Sequence, residues 1–415
     1  MGVSVTMSVA PANATDTGTN SQVGIDFHQW RAPLGFLAGR FAGTRPGAGG
    51  ITIGRPLGST DYTDPTLGTT RVYDYATWTS PVHRIDFGAT QLVSSWNATT
   101  PAGTWLQVQM RGTTTTGTET NWYVMGRWAS GDADIHRTSV PGQTDATGTV
   151  DVDTFEAANG VTLTAYQLRV TLYRATGTRT TPTLRMVGAM TSAVPPRFDV
   201  PASPLGGAEG ITLPVPQYSQ DVHTGQYPEY DGGGEAWCSP TSTEMVVEYW
   251  GKHPTPAQTA WVDPSYADPS VDVAARGTYD YDYEGAGNWP FNAAYAASYG
   301  LDAHVTRLHS LTELESYIKR GIPVITSQSF YADELTGSGY NTSGHLMVIV
   351  GFTKSGDVIA NDPASPNDPA VRHVYQRHQF ETVWLRTQRH LTSGGTGSGS
   401  GGVVYIITPH GMPLP

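Results

Sequence analysis

Ala193-Val194-Pro195-Pro196-Arg197-Phe198-Asp199-Val200-Pro201-Ala202-Ser203-Pro204-Leu205-Gly206-Gly207 is the stretch at which the chain changes its grammar. Proline fixes φ and removes a backbone donor, so a run this dense in Pro and Gly, with Pro214 beyond it, joins structural units instead of building one. The 415 residues therefore divide into a loose N-terminal segment 1–21, a β-rich accessory domain 22–192, a linker 193–214 and a second domain 215–415.

Upstream of the linker the pattern is β. Trp105-Leu106-Gln107-Val108-Gln109-Met110-Arg111 alternates apolar and polar, which sets Leu106, Val108 and Met110 on one face of a sheet. Tyr166 to Leu172 repeats the alternation, Asn121 to Trp128 forms a further strand, and Thr183 to Val187 begins another. Short alternating runs parted by Gly, Thr and Pro predict a two-sheet sandwich of jelly-roll-like kind. Trp30, Trp78, Trp96, Trp105, Trp122 and Trp128 are expected chiefly to fill the space between the sheets. Exposed members could stack on sugar rings, giving this half a cell-wall or glycan contact.

Downstream, helices precede strands. Ser239 to Tyr249 reads as a helix with Pro240 in its first turn, where proline is tolerated. Phe291 to Tyr299 reads as a second helix, stopped by Gly300. A third starts at Ser310, with Glu313 at capping-box spacing, and ends at Gly321 before Pro323. Strands follow at Val324–Thr326, His345–Val350, Asp357–Asn361 and, past a Gly/Ser tract, Val403–Ile407. Helices first and strands afterwards predict an α+β domain.

The formal net charge of −12 argues against a nucleic-acid partner. No apolar run approaches the length of a membrane span. Met1 to Thr6 lacks a basic n-region ahead of an apolar h-region, and Ala10 to Ser21 resembles the loose start of a mature exported protein. A secreted, extracellular protein whose signal has been removed is expected. Cys238 is the single cysteine, which excludes an intrachain disulfide framework and any multi-thiolate metal site.

That cysteine stands directly before a predicted helix. Backbone N–H groups and the helix dipole at that end stabilise a thiolate, and Gly232-Gly233-Gly234 lets the main chain approach a ligand closely. His345 opens an almost wholly apolar strand, and Asp362 ends the next one in Asn361-Asp362-Pro363. Singly these read as a small buried thiol, a surface histidine and a turn aspartate. In that order they fit a nucleophile, its base and the group that orients the base. Gln220, in Val215-Pro216-Gln217-Tyr218-Ser219-Gln220, could join the Cys238 N–H in stabilising an oxyanion, with Gln217 as a competing candidate. Trp237, Ser239, Asn288 and Trp289 are candidate groove-lining, substrate-binding residues. Asp280-Tyr281-Asp282-Tyr283-Glu284-Gly285 opens like a calcium loop, but Phe291 occupies the position that requires a bidentate Glu, so it reads as an acidic aromatic rim. No metal or cofactor is expected.

The set 215–220, Trp237-Cys238-Ser239-Pro240-Thr241-Ser242, Ser343 to Phe352 and 361–363 resembles the papain-fold cysteine peptidases. Within them it is most similar to the group related to the double-glycine-leader peptidases of bacteriocin processing, in its stand-alone secreted actinobacterial branch. The resemblance covers about 215–410. It implies Cys238 as nucleophile, His345 as general base and acid, Asp362 as orienter and Gln220 in the oxyanion hole of a peptide or protein hydrolase. Many members of that group carry Cys-Gly-Pro where this chain has Cys238-Ser239-Pro240, so the Ser239 side chain could narrow the groove. The chain has no Walker A sequence, so the transporter role of some relatives does not carry over. Two alternatives accompany this reading: a thiol transferase or cell-wall amidase on the same fold, and a non-catalytic surface-binding protein.

Overall fold

A computed structural model describes residues 23–415, so the expected loose segment 1–21 lies outside the described residues. The first half is built from two seven-stranded sheets. At the centre of one, Thr104–Thr114 pairs antiparallel with Leu163–Ala175, matching Leu106 to Leu172, Val108 to Val170 and Met110 to Leu168. All six are fully buried, while Gln107, Gln109 and Arg111 are half-exposed. The alternation read from the sequence is thus the in–out alternation of a strand with one buried face. At the centre of the other, Gln91–Thr99 pairs with Thr183–Ala193. Aromatic side chains of the two sheets meet in one cluster: Trp30 packs edge-on to Trp78 at 6.0 Å and to Tyr166 at 6.2 Å. Trp78, Trp96, Trp105 and Trp128 are inaccessible or nearly so, and the ring of Trp122 packs against the guanidinium groups of Arg111 and Arg169.

The second half is α+β. Its sheet is six-stranded and antiparallel, in the order Asp302–Arg307, Val403–Thr408, Val324–Phe330, Thr342–Phe352, Val358–Asn361, Arg372–Tyr375. Its helices are α1 (Cys238–Tyr249), α2 (Pro256–Thr259), α3 (Pro269–Thr278), α4 (Trp289–Ser298), α5 (Leu311–Ile318) and α6 (Arg377–Leu385). At α5 the Ser310 side chain accepts from the Glu313 N–H as the spacing predicts. The Glu313 carboxylate, however, reaches one residue further back, to the His309 N–H. The second helix begins at Trp289, two residues earlier than read, because the Asn288 side chain caps it by accepting from the Phe291 N–H.

The Pro/Gly-rich stretch runs along the second half and is fastened to it. Arg197 donates to the Leu385 carbonyl, and the Gly206 and Ala208 N–H groups share one Glu315 carboxylate oxygen. Ile211 and Leu213 bond to the backbone of Phe352 and Val350. Gly351 makes this approach possible, since a Cβ there would lie 2.1 Å from the Ile211 carbonyl oxygen. The halves also share core. Phe291 of α4 stands between Trp96 and Trp128, at 6.0 and 5.4 Å, and Asn97 donates to the Ala303 carbonyl.

Candidate active site

Three elements converge on Cys238. The cysteine is the first residue of α1, half-buried, behind the turn Gly234–Ala236. His345 comes from the sheet strand Thr342–Phe352, and Asp362 follows the end of its neighbour Val358–Asn361. His345 Nε2 and Asp362 Oδ1 are 2.8 Å apart, and both residues are buried. With Nε2 committed to Asp362, the other ring nitrogen is left over, and Cys238 lies near enough to act on the ring's charge.

Asp362 is held more firmly than the sequence indicated. Its Oδ2 accepts from the hydroxyls of Tyr340, at 2.9 Å, and Tyr375, at 2.7 Å, and its Oδ1 also accepts from the Ala364 N–H. Burial alone would push this carboxyl up, but the His345 charge and these donors outweigh it and hold the carboxyl below its ordinary range. The same contest runs the other way at His345. Burial lowers it, the Asp362 charge and hydrogen bond and then Cys238 lift it, and it ends at about 10. An imidazolium facing the sulfur at neutral pH is the counter-ion a thiolate requires.

Gln220 is buried between the turn that precedes Cys238 and the turn that follows Asp362. Its Nε2 donates to the Glu235 carbonyl at 2.7 Å and its backbone N–H to the Pro363 carbonyl. One amide N–H thereby fixes the side chain and the second is left over. Gly234 is required here, because a Cβ would lie 2.3 Å from the Gln220 carbonyl oxygen. Gln217, the competitor, bonds instead to the Asp368 carbonyl.

The expected groove-lining residues are mostly turned inward. Trp237 is fully buried and its indole donates to the Tyr230 carbonyl. Ser239 is fully buried with its hydroxyl 2.9 Å from that of Tyr405, so it does not narrow a groove. The reason is helical geometry: successive residues point about 100° apart. Asn288 spends its side chain on capping α4 and on donating to Asp280. Trp289 is half-buried, and its N–H donates to Asp153 of the first half. The Asp280 carboxylate is taken up by N–H donors of Ser139, Asp282 and Tyr283 and by Asn288. Among the described residues, no cluster of His, Cys, Asp or Glu has the geometry of a metal site, and no helix is long and apolar enough to cross a membrane.

Tyr340 and Tyr375 were missed in the sequence. The only signal was Tyr340 in a Gly/Ser-rich loop shortly before His345; for Tyr375 there was none.

This α+β architecture with a Cys–His–Asp set has family counterparts on both sides of the junction. The family model described as the Peptidase C39 N-terminal domain matches residues 26–192, and the Peptidase_C39 like family model matches residues 212–391. Each half of the chain thus matches a C39 peptidase family model of its own. A solved structure described as a C39-like peptidase from Bacillus anthracis is similar at 18% identity, over 48% of this chain and 98% of that one, with a TM-score of 0.28. A structure of infectious bursal disease virus, Gt strain, is similar at 16% identity, over 44% of this chain and 36% of that one, with a TM-score of 0.20. No curated protein matches the chain.

Proposed function

We propose that the protein is a secreted cysteine hydrolase, with a papain-like catalytic domain and an N-terminal β-sandwich, that cleaves peptide or amide bonds. The observation that carries this is the 2.8 Å His345–Asp362 bond between buried side chains, with Cys238 acting on the same imidazole to favour its charged form. The thiolate attacks the carbonyl carbon. The oxyanion is met by the Cys238 backbone N–H and the spare amide N–H of Gln220. The His345 imidazolium gives its proton to the leaving amine and is left neutral. It then takes a proton from water as the hydroxide attacks the thioester, and the thiolate departs with the acid product released. Asp362, fixed by Tyr340 and Tyr375, keeps the ring oriented and stabilises its charged form throughout.

The test is hydrolysis of a casein-derived peptide library, read by mass spectrometry, for the wild type and Cys238→Ala. Loss of every cleavage in the variant is expected. Full retention would overturn the assignment.

A further inference from the structure

The loop that joins α3 to α4, residues 279–288, is built jointly by both halves of the chain. Arg137 of the first half is 1% exposed, and its guanidinium donates to the carbonyls of Arg276, at 2.7 Å, and Tyr279, at 3.3 Å. Its own carbonyl accepts from the Tyr281 N–H at 3.1 Å. Ser139 donates its N–H to Asp280 Oδ1, the same oxygen that accepts from Asp282 and Tyr283 inside the loop. At the far end, the Asp153 carboxylate accepts from the Trp289 N–H at 2.7 Å and thereby fastens the first turn of α4. Asp153 is 6% exposed and sits in the turn between strands Gly148–Asp151 and Thr154–Ala157, next to Val152, whose φ is +54°. A valine with positive φ is strained, and that strain is borne where the turn enters the second half.

What the loop presents is Tyr283. This side chain is 42% exposed, in a protein that buries most of its large aromatics. Its ring lies back over Gly285, where a Cβ would come within 2.4 Å of it, so a side chain at that position would push the ring aside. The same loop packs against the approach to Cys238: Ala286 is buried in one cluster with Trp237, the residue before the cysteine, and its N–H donates to Asp231 Oδ2 at 3.0 Å, directly ahead of Gly232-Gly233-Gly234.

We infer that the first half is a working part of the active site: it holds loop 279–288 as a wall beside Cys238, with Tyr283 as the substrate-contacting face and Asp153 as a positioning residue. The occupant of that wall is an apolar or aromatic substrate side chain next to the scissile bond, because an exposed ring gains most from contact with apolar surface. The inference rests on Cys238 being the nucleophile.

The experiment uses the full chain and a casein-derived peptide library, with Tyr283→Ala, Asp153→Ala, Asp153→Asn and Cys238→Ala. Tyr283→Ala is expected to raise KM about tenfold or more for sites with a large apolar side chain and to flatten the cleavage profile. Its kcat and the rate of Cys238 alkylation by iodoacetamide, a reagent too small to need the wall, should stay near wild type. Asp153→Ala should give the same split, and Asp153→Asn, which keeps an acceptor for the Trp289 N–H, should recover most of it. Should Asp153→Ala not fold, Tyr283→Ala decides alone, since its side chain is exposed. An unchanged KM and profile in Tyr283→Ala would overturn the inference while leaving the proposed function standing. A parallel fall in alkylation would also overturn it, by showing a collapsed site in place of a lost contact. Undiminished hydrolysis by Cys238→Ala would remove the proposed function itself, and this inference with it.

Discussion

Replacing Asp362 with asparagine should move the alkaline limit of activity. His345 stands at about 10, against an ordinary 6.5, although burial acts to lower it. At about 1.4 kcal/mol per pH unit, that displacement corresponds to roughly 5 kcal/mol of net preference for the imidazolium. The Asp362 charge and its 2.8 Å contact are the first of the forces that oppose burial, with Cys238 behind them. An opposite charge this close lifts such a group by about 1–3 pH units. Asp362→Asn keeps the side-chain shape but removes the charge, so the alkaline limb of kcat/KM should fall by about that amount. At pH 9 the wild-type imidazole stays mostly protonated, whereas the variant loses half or more of its charged form. Stability moves as well, and in a definite direction. The contribution from the raised His345 is full below its unfolded value of 6.5 and is lost as pH rises through about 10. That from the lowered Asp362 is present above 3.8 and is lost as pH falls through its folded value. Hydrolysis and iodoacetamide alkylation, each measured from pH 5 to pH 11, check the claim. An alkaline limb still near 10 in Asp362→Asn would refute the electrostatic account of the site.

Ser239→Gly should lower stability by about 1–3 kcal/mol because it strands the buried Tyr405 hydroxyl. Its KM should stay unchanged, and urea titration beside steady-state kinetics separates the two effects. His304 is buried against Phe27 at 4.1 Å, and burial pushes it down to about 4. Its contribution is present above 6.5 and lost as pH falls toward 4, so His304→Gln should remove about 2–3 kcal/mol of the destabilisation seen at pH 4.5. Equal urea midpoints ratios for variant and wild type between pH 7.5 and 4.5 would contradict this.

The parts legible in the sequence are those governed by short-range periodicity. The strand around Val108 alternates strictly, and α1 begins within one residue of its predicted start because Pro240 marks a first turn. The strand Asp302–Arg307 and helices α3 and α6 were missed for one physical reason: they bury polar groups at core positions. In α6, Glu381 is fully buried and accepts from the N–H groups of Ser203 and Leu311. In α3 the buried residue is Asp272, and in the strand it is His304. A pattern reader scores such positions as surface, although long-range partners make them interior. The site divides in the same way. Cys238, His345 and Asp362 could be ordered along the chain, but Tyr375 reaches Asp362 only because Arg372–Tyr375 pairs with Val358–Asn361 in a particular register. Nor could one-dimensional spacing tell that Ser239 turns away from its neighbour Cys238.

Two separate family matches invite a picture of two tethered bodies, but the packing argues for one cooperative unit. Phe291 is fully buried, and the rings it touches, Trp96 and Trp128, belong to the other half. Val93 and Met190 of the β-rich half are in turn buried within the core of the α+β half. Neither core is complete without residues from its neighbour, so unfolding either half exposes apolar surface of both. Thermal unfolding should therefore give a single transition, with tryptophan fluorescence and the onset of Cys238 alkylation coinciding. Phe291→Ala should cost about 3–5 kcal/mol and shift both signals together, although the mutated residue lies in only one half. A variant whose Cys238 became accessible well before the β-rich half lost its tryptophan signal would show that the shared core does not couple the two.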